Sequence, residues 1–251
     1  MRVFCAGSLS AAMRSLIADY EILEPADPAA EAAPGIALTS GPAGLLCRRI
    51  EDGEQADVFL SASPAAPRWL AAQSNYAAPI LLCHNRLAVV ARPGLPLTEA
   101  HLLDRLLDPA LRLVSSTPGA DPGGDYAMAL FAALDQLRPG SAAVLREKVR
   151  HPFGGPDNSA PVDGMSPAVA FLKSGGTDLM VVYRTTARAA CAAVEGASAI
   201  AVPLDWLPRT EATLTWRRDA PAAVTRFVDY LQSGRAAELI AAAGLEPATP
   251  R

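Results

Sequence analysis

Several places in this chain bring glycine together with a hydroxyl or carboxyl residue where an apolar run gives way to a helical pattern. They are Gly7-Ser8, the stretch Ser40-Gly41-Pro42-Ala43-Gly44, Gly123-Gly124-Asp125, and Asp163-Gly164-Met165-Ser166. A helix N-terminus carries backbone N–H groups with no intrahelical acceptor and a partial positive charge. Several such termini converging on one point would hold a dianion by neutral hydrogen-bond donors, without a cationic side chain. Ordinary helix capping accounts for any one of these turns taken alone.

Other chemistries find less support. The three histidines are spread out: His84 precedes a strand, His101 lies on a helical stretch and His151 sits in a Pro/Gly loop, and no HxH or HExxH spacing links them. There is no GxSxG elbow, no phosphate-binding GxxxxGK[ST], and no GxGxxG opening a helix after a strand. Asp121, Asp125, Asp157 and Asp163 are the candidate carboxylates, and capping and turn formation explain Asp at such positions. Cys5, Cys47, Cys83 and Cys191 are far apart and form no CxxC pair, so they are expected to be free thiols. The expectation is therefore no catalytic residue, no cofactor, and no side chain acting as a direct metal ligand.

The elements that must position these turns alternate regularly. Strands are expected at Arg2–Ala6, 36–38, 57–60, 86–91, 112–115, 178–183 and 200–202. Helices are expected at 9–20, 45–50, 67–72, 99–107, 125–137, 220–231 and 235–243, with a short one opened by residues 163–167 and running to Lys173, where Gly175-Gly176 ends it. Residues 206 and 214–216 read as strand or loop, and residues 24–34 as a Pro/Ala-rich connection. Strand and helix in this order imply βαβ units with a mainly parallel sheet, an α/β fold.

Composition narrows the class further. With 51% hydrophobic and 19% charged residues the 251-residue chain has the material for a buried core. Its net charge of -4, with scattered Lys and Arg, lacks the basic footprint of a nucleic-acid binder. Charges or prolines interrupt its apolar stretches well short of the roughly 20 residues needed to span a bilayer, so no membrane insertion is expected. Met1 runs almost directly into the first strand, so a secretory signal is expected to have been trimmed, or else the chain is cytoplasmic.

In their order and spacing, Ala6-Gly7-Ser8-Leu9, then Ala56-Asp57-Val58-Phe59-Leu60-Ser61-Ala62, then Asp121-Pro122-Gly123-Gly124-Asp125-Tyr126-Ala127, then Val181-Val182-Tyr183-Arg184 resemble the molybdate/tungstate-binding receptors, the periplasmic substrate-binding proteins of ABC transporters. The likeness covers roughly residues 3 to 190, and its most specific piece is Ala56 to Ala62. It implies a type II periplasmic-binding-protein fold: two lobes, each a sheet flanked by helices, joined by crossing hinge strands and closing on a buried anion. Lobe one would comprise residues 1–83 plus 188–251, and lobe two residues 84–187. Carried over, Ser8 offers its hydroxyl and N–H, the turn containing Ser40 and Ala43 another donor, and the backbone near Gly124, Asp125, Asp163 and Gly164 further ones. Tyr183 donates its phenolic O–H. The partners implied are the oxyanion, molybdate or tungstate, and an ABC permease, with the chain a monomer in the periplasm or outside the cell.

One departure matters. Where the family carries a serine before its second short helix, this chain has Gly41-Pro42-Ala43-Gly44, so a hydroxyl is missing unless Ser40 swings in, and proline removes an N–H as well. Losing one hydrogen bond to a charged ligand costs about 1.5–3 kcal/mol, roughly ten- to hundredfold in affinity. Val182 stands where some tungstate receptors carry an acidic residue, which argues against an octahedral metal centre. Competing readings are a cytosolic ligand-sensing module of the same fold, a receptor for another anion or small molecule, and an enzyme on this fold such as hydroxymethylbilane synthase. The last would need a cofactor attached to cysteine, and Cys191 lies in no matching loop.

Overall fold

The computed structural model describes residues 1–23 and 35–248, so the Pro/Ala-rich connection at 24–34 lies outside the described residues. The chain divides into two compact units: the first comprises Met1–Asn85 and Glu211–Arg251, the second Arg86–Thr210.

The elements of the first segment are β1 (Arg2–Ala6), α1 (Ser10–Leu23), β2 (Ala37–Gly41), α2 (Ala43–Glu51), β3 (Val58–Ser61), α3 (Ala65–Gln73) and β4 (Ile80–Asn85). The second unit holds β5 (Leu87–Ala91), α4 (Leu102–Leu107), β6 (Leu113–Ser116), α5 (Pro122–Leu137), α6 (Ser141–Lys148), β7 (Arg150–Phe153), α7 (Pro167–Lys173), β8 (Leu179–Tyr183), α8 (Arg184–Ala193) and β9 (Ser198–Ala201). The chain then returns through β10 (Thr210–Trp216), α9 (Ala222–Leu231), α10 (Gly234–Ala242) and β11 (Glu246–Pro247).

In the first unit the strand order is β11-β4-β10-β3-β1-β2. β1 pairs in parallel with β2 and β3, and β10 runs antiparallel to β3. β1 and β3 are apolar almost throughout because both faces of a parallel sheet are covered. α1 buries Ala12, Met13, Leu16, Ile17 and Tyr20 at helical spacing. Its Tyr20 ring sits 5.0 Å from Phe227 and 5.2 Å from Tyr230, so α9 closes over the helix that follows β1.

The second unit repeats the plan with order β7-β6-β8-β5-β9. β6 pairs in parallel with β7 and β8, whereas β5 runs antiparallel to β8 and β9. Both sheets are thus mixed: a parallel half built by βαβ crossovers and an antiparallel half added at the side. Alternation along β8 separates two faces. Met180 and Val182 join Val90 and Val114 in a cluster with Ala168, Val169 and Leu172 of α7 and Ala187 and Ala190 of α8. The opposite face, which carries Leu179, Val181 and Tyr183, is covered by α5.

The expected return of the chain at residue 187 is corrected. That position lies inside α8, which packs on β5, and β9 then pairs antiparallel with β5 before the chain leaves the second unit near Thr210. β4, α6, β7, α8 and β11 were not expected. β4 and β5 are separated by Arg86 alone, with no turn signal between two strands that belong to different sheets.

Candidate functional site

In each unit the three parallel strands follow one connection rule. β1 lies between β2 and β3, and β6 lies between β7 and β8. The chain runs from the central strand to one neighbour and then crosses to the other. The two helical crossovers therefore diverge, leaving a crevice beyond the carboxyl ends of β1 and β3 in one unit, and of β6 and β8 in the other.

In the first unit Ser8 occupies this position. It lies half-buried in a single 3-10 turn, Gly7–Leu9, that opens as soon as β1 ends. Cys5 is paired with Leu60, so Ala6 and Ser61 lie next along the two strands. Ser61 is fully buried, and its hydroxyl accepts the N–H of Ser63 at 3.2 Å. Sequence reasoning missed Ser61 and Ser63, although both belong to or adjoin the Ala56–Ala62 motif; the signal was a hydroxyl residue at the end of a buried strand.

Ser40 does not lie in a turn. It belongs to β2, paired with Cys5, and is exposed. The strand persists to Gly41 because β1 supplies ladder partners that far, and the junction is compressed into Pro42 alone. Ala43 is fully buried at the first position of α2, whose first internal bond runs from the Leu46 N–H to the Pro42 carbonyl at 3.0 Å. The N–H groups of Ala43, Gly44 and Leu45 precede that bond.

In the second unit the converging groups are Ser116 at the end of β6, Tyr183 at the end of β8, and the N-terminus of α5 between them. A methyl at Gly123 would lie 2.9 Å from the Ser116 hydroxyl oxygen, 3.2 Å from Cε2 of Tyr183 and 3.4 Å from Oδ1 of Asp121. Those three side chains meet at one point, and only glycine leaves room there. Tyr183 is buried, and its ring meets that of Tyr126 edge-on at 6.3 Å. Burial, then the negative charge of Asp121, hold its phenol well above the usual tyrosine range, so it is a hydrogen-bond donor at any physiological pH.

Asp121 caps α5. Its Oδ1 accepts the Gly123 N–H at 2.9 Å, and its carbonyl accepts those of Gly124 at 2.9 Å and Asp125 at 3.4 Å. The N–H groups of Gly124 and Asp125 are thus engaged within the cap, and the Asp125 carboxylate accepts the Gly119 N–H at 2.8 Å. Although Asp121 retains some solvent exposure, its carboxylate is hemmed in. Oδ2 lies 3.0 Å from where a Gly154 side chain would begin. Burial first, and then Asp125, push its carboxyl up to about 6 against the opposing Gly123 N–H and Ser116 hydroxyl.

Asp163 and Gly164 belong to a turn and not to a helix N-terminus. Both have positive φ, 49° and 74°, and form the exposed tip of a two-residue hairpin closed by reciprocal bonds between Val162 and Met165 at 3.0 and 2.9 Å. An Asp-Gly pair suits that turn because both central residues need left-handed backbone. α7 opens two residues later, at Pro167, capped by Ser166 through the Val169 N–H.

The histidines have separate places. His151 Nδ1 lies 3.1 Å from the Ser115 hydroxyl and 3.0 Å from the Ser116 carbonyl, and His101 Nδ1 lies 2.9 Å from Thr98 Oγ1. Among the described residues no group of three His, Cys, Asp or Glu side chains could hold a metal ion, and no helix is long and apolar enough to cross a membrane.

An uncharacterized protein of Pasteurella multocida is 34% identical over 188 residues, 73% of this chain and 73% of that protein. Among solved structures, the periplasmic molybdate-binding protein of Azotobacter vinelandii superposes with a TM-score of 0.75 at 19% identity, over 98% of each chain. The sulfate-binding protein SubI of Mycobacterium tuberculosis gives 0.74 at 17% identity, over 100% of this chain and 87% of its own. These likenesses establish the type II periplasmic-binding-protein fold. The match to the bacterial extracellular solute-binding protein family spans residues 1–246, and this chain belongs to that family.

Proposed function

We propose that this chain is the solute-binding component of an ABC importer, acts outside the cytoplasm, and captures a tetrahedral oxyanion, with molybdate or tungstate preferred. The observation that carries the reading is the neutral donor set at the strand ends: the hydroxyls of Ser8 and Ser61 in one unit, and those of Ser116 and Tyr183 beside the α5 N-terminus in the other. Such groups suit an anion that must be desolvated on binding and released intact, because neutral dipoles stabilise its charge without forming a strong ion pair. Structural neighbours that bind molybdate and sulfate are consistent with this ligand class. A family receptor of this kind binds its ligand without turnover.

Ser40 on a strand and Pro42 at the α2 cap leave the first unit without the hydroxyl that the molybdate receptors carry there. That observation favours, as a second reading, a receptor of the same architecture for a different oxyanion.

Isothermal titration calorimetry of the dialysed protein with molybdate, tungstate, sulfate and phosphate at matched ionic strength tests both. One-to-one, submicromolar binding of molybdate or tungstate with weaker sulfate is the expected result, and a preference for sulfate or phosphate selects the second reading. Tyr183→Phe and Ser8→Ala are each expected to weaken binding by about ten- to hundredfold, the value of one hydrogen bond to a charged group. Unchanged affinity in both variants, or no heat with any of the four anions, overturns the oxyanion reading.

A further inference from the structure

Ser116 and Tyr183, two donors of the proposed oxyanion site, share their immediate surroundings with a carboxylate. The point from which the Ser116 hydroxyl is 2.9 Å and the Tyr183 ring 3.2 Å away is 3.4 Å from Oδ1 of Asp121. A dianion accepting hydrogen bonds from those two donors would meet a third negative charge at short range in a poorly hydrated place, where charges interact far more strongly than in water. The titratable groups around Asp121 give no relief. Asp125 and Tyr126 come from α5, Tyr183 from β8, and His151 of β7 stands one residue removed on the Ser116 carbonyl. Of these Asp125 adds negative charge, and the phenols are neutral.

We propose that Asp121 makes anion capture proton-coupled: each dianion enters the site together with one proton, which neutralises the Asp121 carboxylate. The inference rests on the oxyanion reading. The proton comes from solvent and no other bond is made or broken. Protonation turns a repelling acceptor into a carboxylic acid that can donate to the bound anion. If an anion brings a proton of its own, it donates to the ionised carboxylate and the total charge is the same. Either way the site holds two negative charges rather than three. Without ligand, burial and Asp125 already hold this carboxyl up to about 6, and a bound dianion raises it past neutrality.

Linkage sets the sign. Above the pKa of the unliganded carboxyl, the protein must take up a proton to bind, so affinity falls as pH rises, by about tenfold per unit while the bound form stays protonated. Asp121→Asn removes the charge and keeps the helix cap, since asparagine caps as well as aspartate.

The experiment is calorimetric titration of the intact protein with molybdate, which is fully deprotonated at neutral pH, in two buffers of different ionisation enthalpy at pH 7 and again at pH 8. The expected result is uptake of close to one proton per molybdate, with affinity about tenfold weaker at pH 8. Asp121→Asn is expected to bind without proton uptake and with the same affinity at both pH values. Binding to the unaltered protein without proton uptake overturns the proposal and leaves the oxyanion reading standing. Proton uptake retained in Asp121→Asn also overturns it, by assigning the proton to another group such as His151. If the variant does not fold, the unaltered protein alone still decides the stoichiometry. Absence of binding by molybdate, tungstate, sulfate and phosphate overturns the oxyanion reading and this inference with it.

Discussion

Gly124→Ala is expected to lower the melting temperature of the second unit by roughly 10 °C, although on helix propensity alone the substitution is favourable. Gly124 lies in the first turn of α5, where alanine would gain about 1 kcal/mol in an exposed helix. Here the added methyl would fall 2.5 Å from the Ser116 carbonyl oxygen, 2.6 Å from the Pro118 nitrogen and 2.7 Å from the Thr117 carbonyl carbon. All three are backbone atoms, which cannot rotate away as a side chain can. Either the loop 116–118 moves or the helix does, and overpacking of this kind costs about 1–3 kcal/mol or more. The methyl clashes with three backbone atoms, so a net loss on the order of 2–3 kcal/mol is expected, and each kcal/mol is worth a few degrees in a domain of this size. Displacing that loop also displaces Ser116, so oxyanion affinity should fall in parallel. Gly123→Ala is the contrast, because its methyl meets the side chains of Ser116 and Tyr183. It should reduce binding with a smaller change in melting temperature. Thermal denaturation of both variants checks the order, and a Gly124→Ala protein as stable as the original would refute the close approach of α5 to the loop.

Replacement of Asp178 is the second large effect, and its pH dependence identifies the cause. Asp178 stands just before β8, the central strand of its sheet, and is 7% exposed. Its carboxylate accepts from Arg92 Nε at 2.7 Å beyond β5, and from the Arg112 N–H at 2.8 Å, Nε at 3.0 Å and a terminal guanidinium nitrogen at 3.2 Å before β6. One carboxylate thus ties three strand ends together. The Arg112 guanidinium, its backbone N–H and Arg92 hold this carboxyl well below the usual carboxylate range, against the opposing effect of burial. The Arg92 and Arg112 side chains are 42% and 56% exposed, so solvent screens the pairs and each is worth less than a buried one. Asp178→Asn is expected to cost about 2–4 kcal/mol at pH 7. A group with a depressed folded pKa contributes stability above its unfolded value, near 3.9, and loses it as pH falls through the folded value. The gap in melting temperature between the variant and the original should therefore be widest at neutral pH and shrink below pH 3. A gap of equal size at pH 7 and pH 2.5 would show that packing, and not charge, is responsible.

Asp121 and Asp178, both of the second unit, sit in opposite surroundings. Asp178 is surrounded by donors and stays ionised, fastening the amino-terminal edge of the sheet. Asp121 has one backbone N–H and one hydroxyl against burial and a like charge, and sits at the carboxyl edge where a ligand can arrive. Sequence spacing treats both alike, since each precedes an element and each caps or pairs something nearby. The difference lies in what the fold brings to them from elsewhere in the chain.

Much of this protein was determined by local sequence. β1 runs over the residues expected, and α1, α4, α9 and β8 fall within a few residues of expectation, because each has a strong apolar period and a clear breaker. Gly175 ends α7 with a left-handed backbone, its N–H bonded to Leu172 and that of Gly176 to Phe171, as the Gly-Gly pair implied. Ser8 lies in the turn after β1 and Tyr183 at the end of β8, where the strand and helix pattern put them. Pairing across the chain decided the remainder. β4 and β5 are parted only by the polar run His84-Asn85-Arg86, whose first two residues still belong to β4, and only their partners, β10 and β11 for one and β8 and β9 for the other, assign them to different sheets. Ser40 was expected in a turn, but β1 extends the ladder to Gly41 and holds it in a strand. α8 is rich in alanine and arginine, its amphipathic face becomes visible only with β5 and α7 packed on it, and so the sequence placed the return of the chain inside it. Asp163-Gly164 carries the same residue types as a helix cap, yet the bonds between Val162 and Met165 make it a hairpin tip. Ser61 and Ser116 stayed hidden for a related reason. A hydroxyl at a strand end acquires a role only when a second strand end arrives beside it, and strand order is a long-range property that the local period of a sequence does not encode.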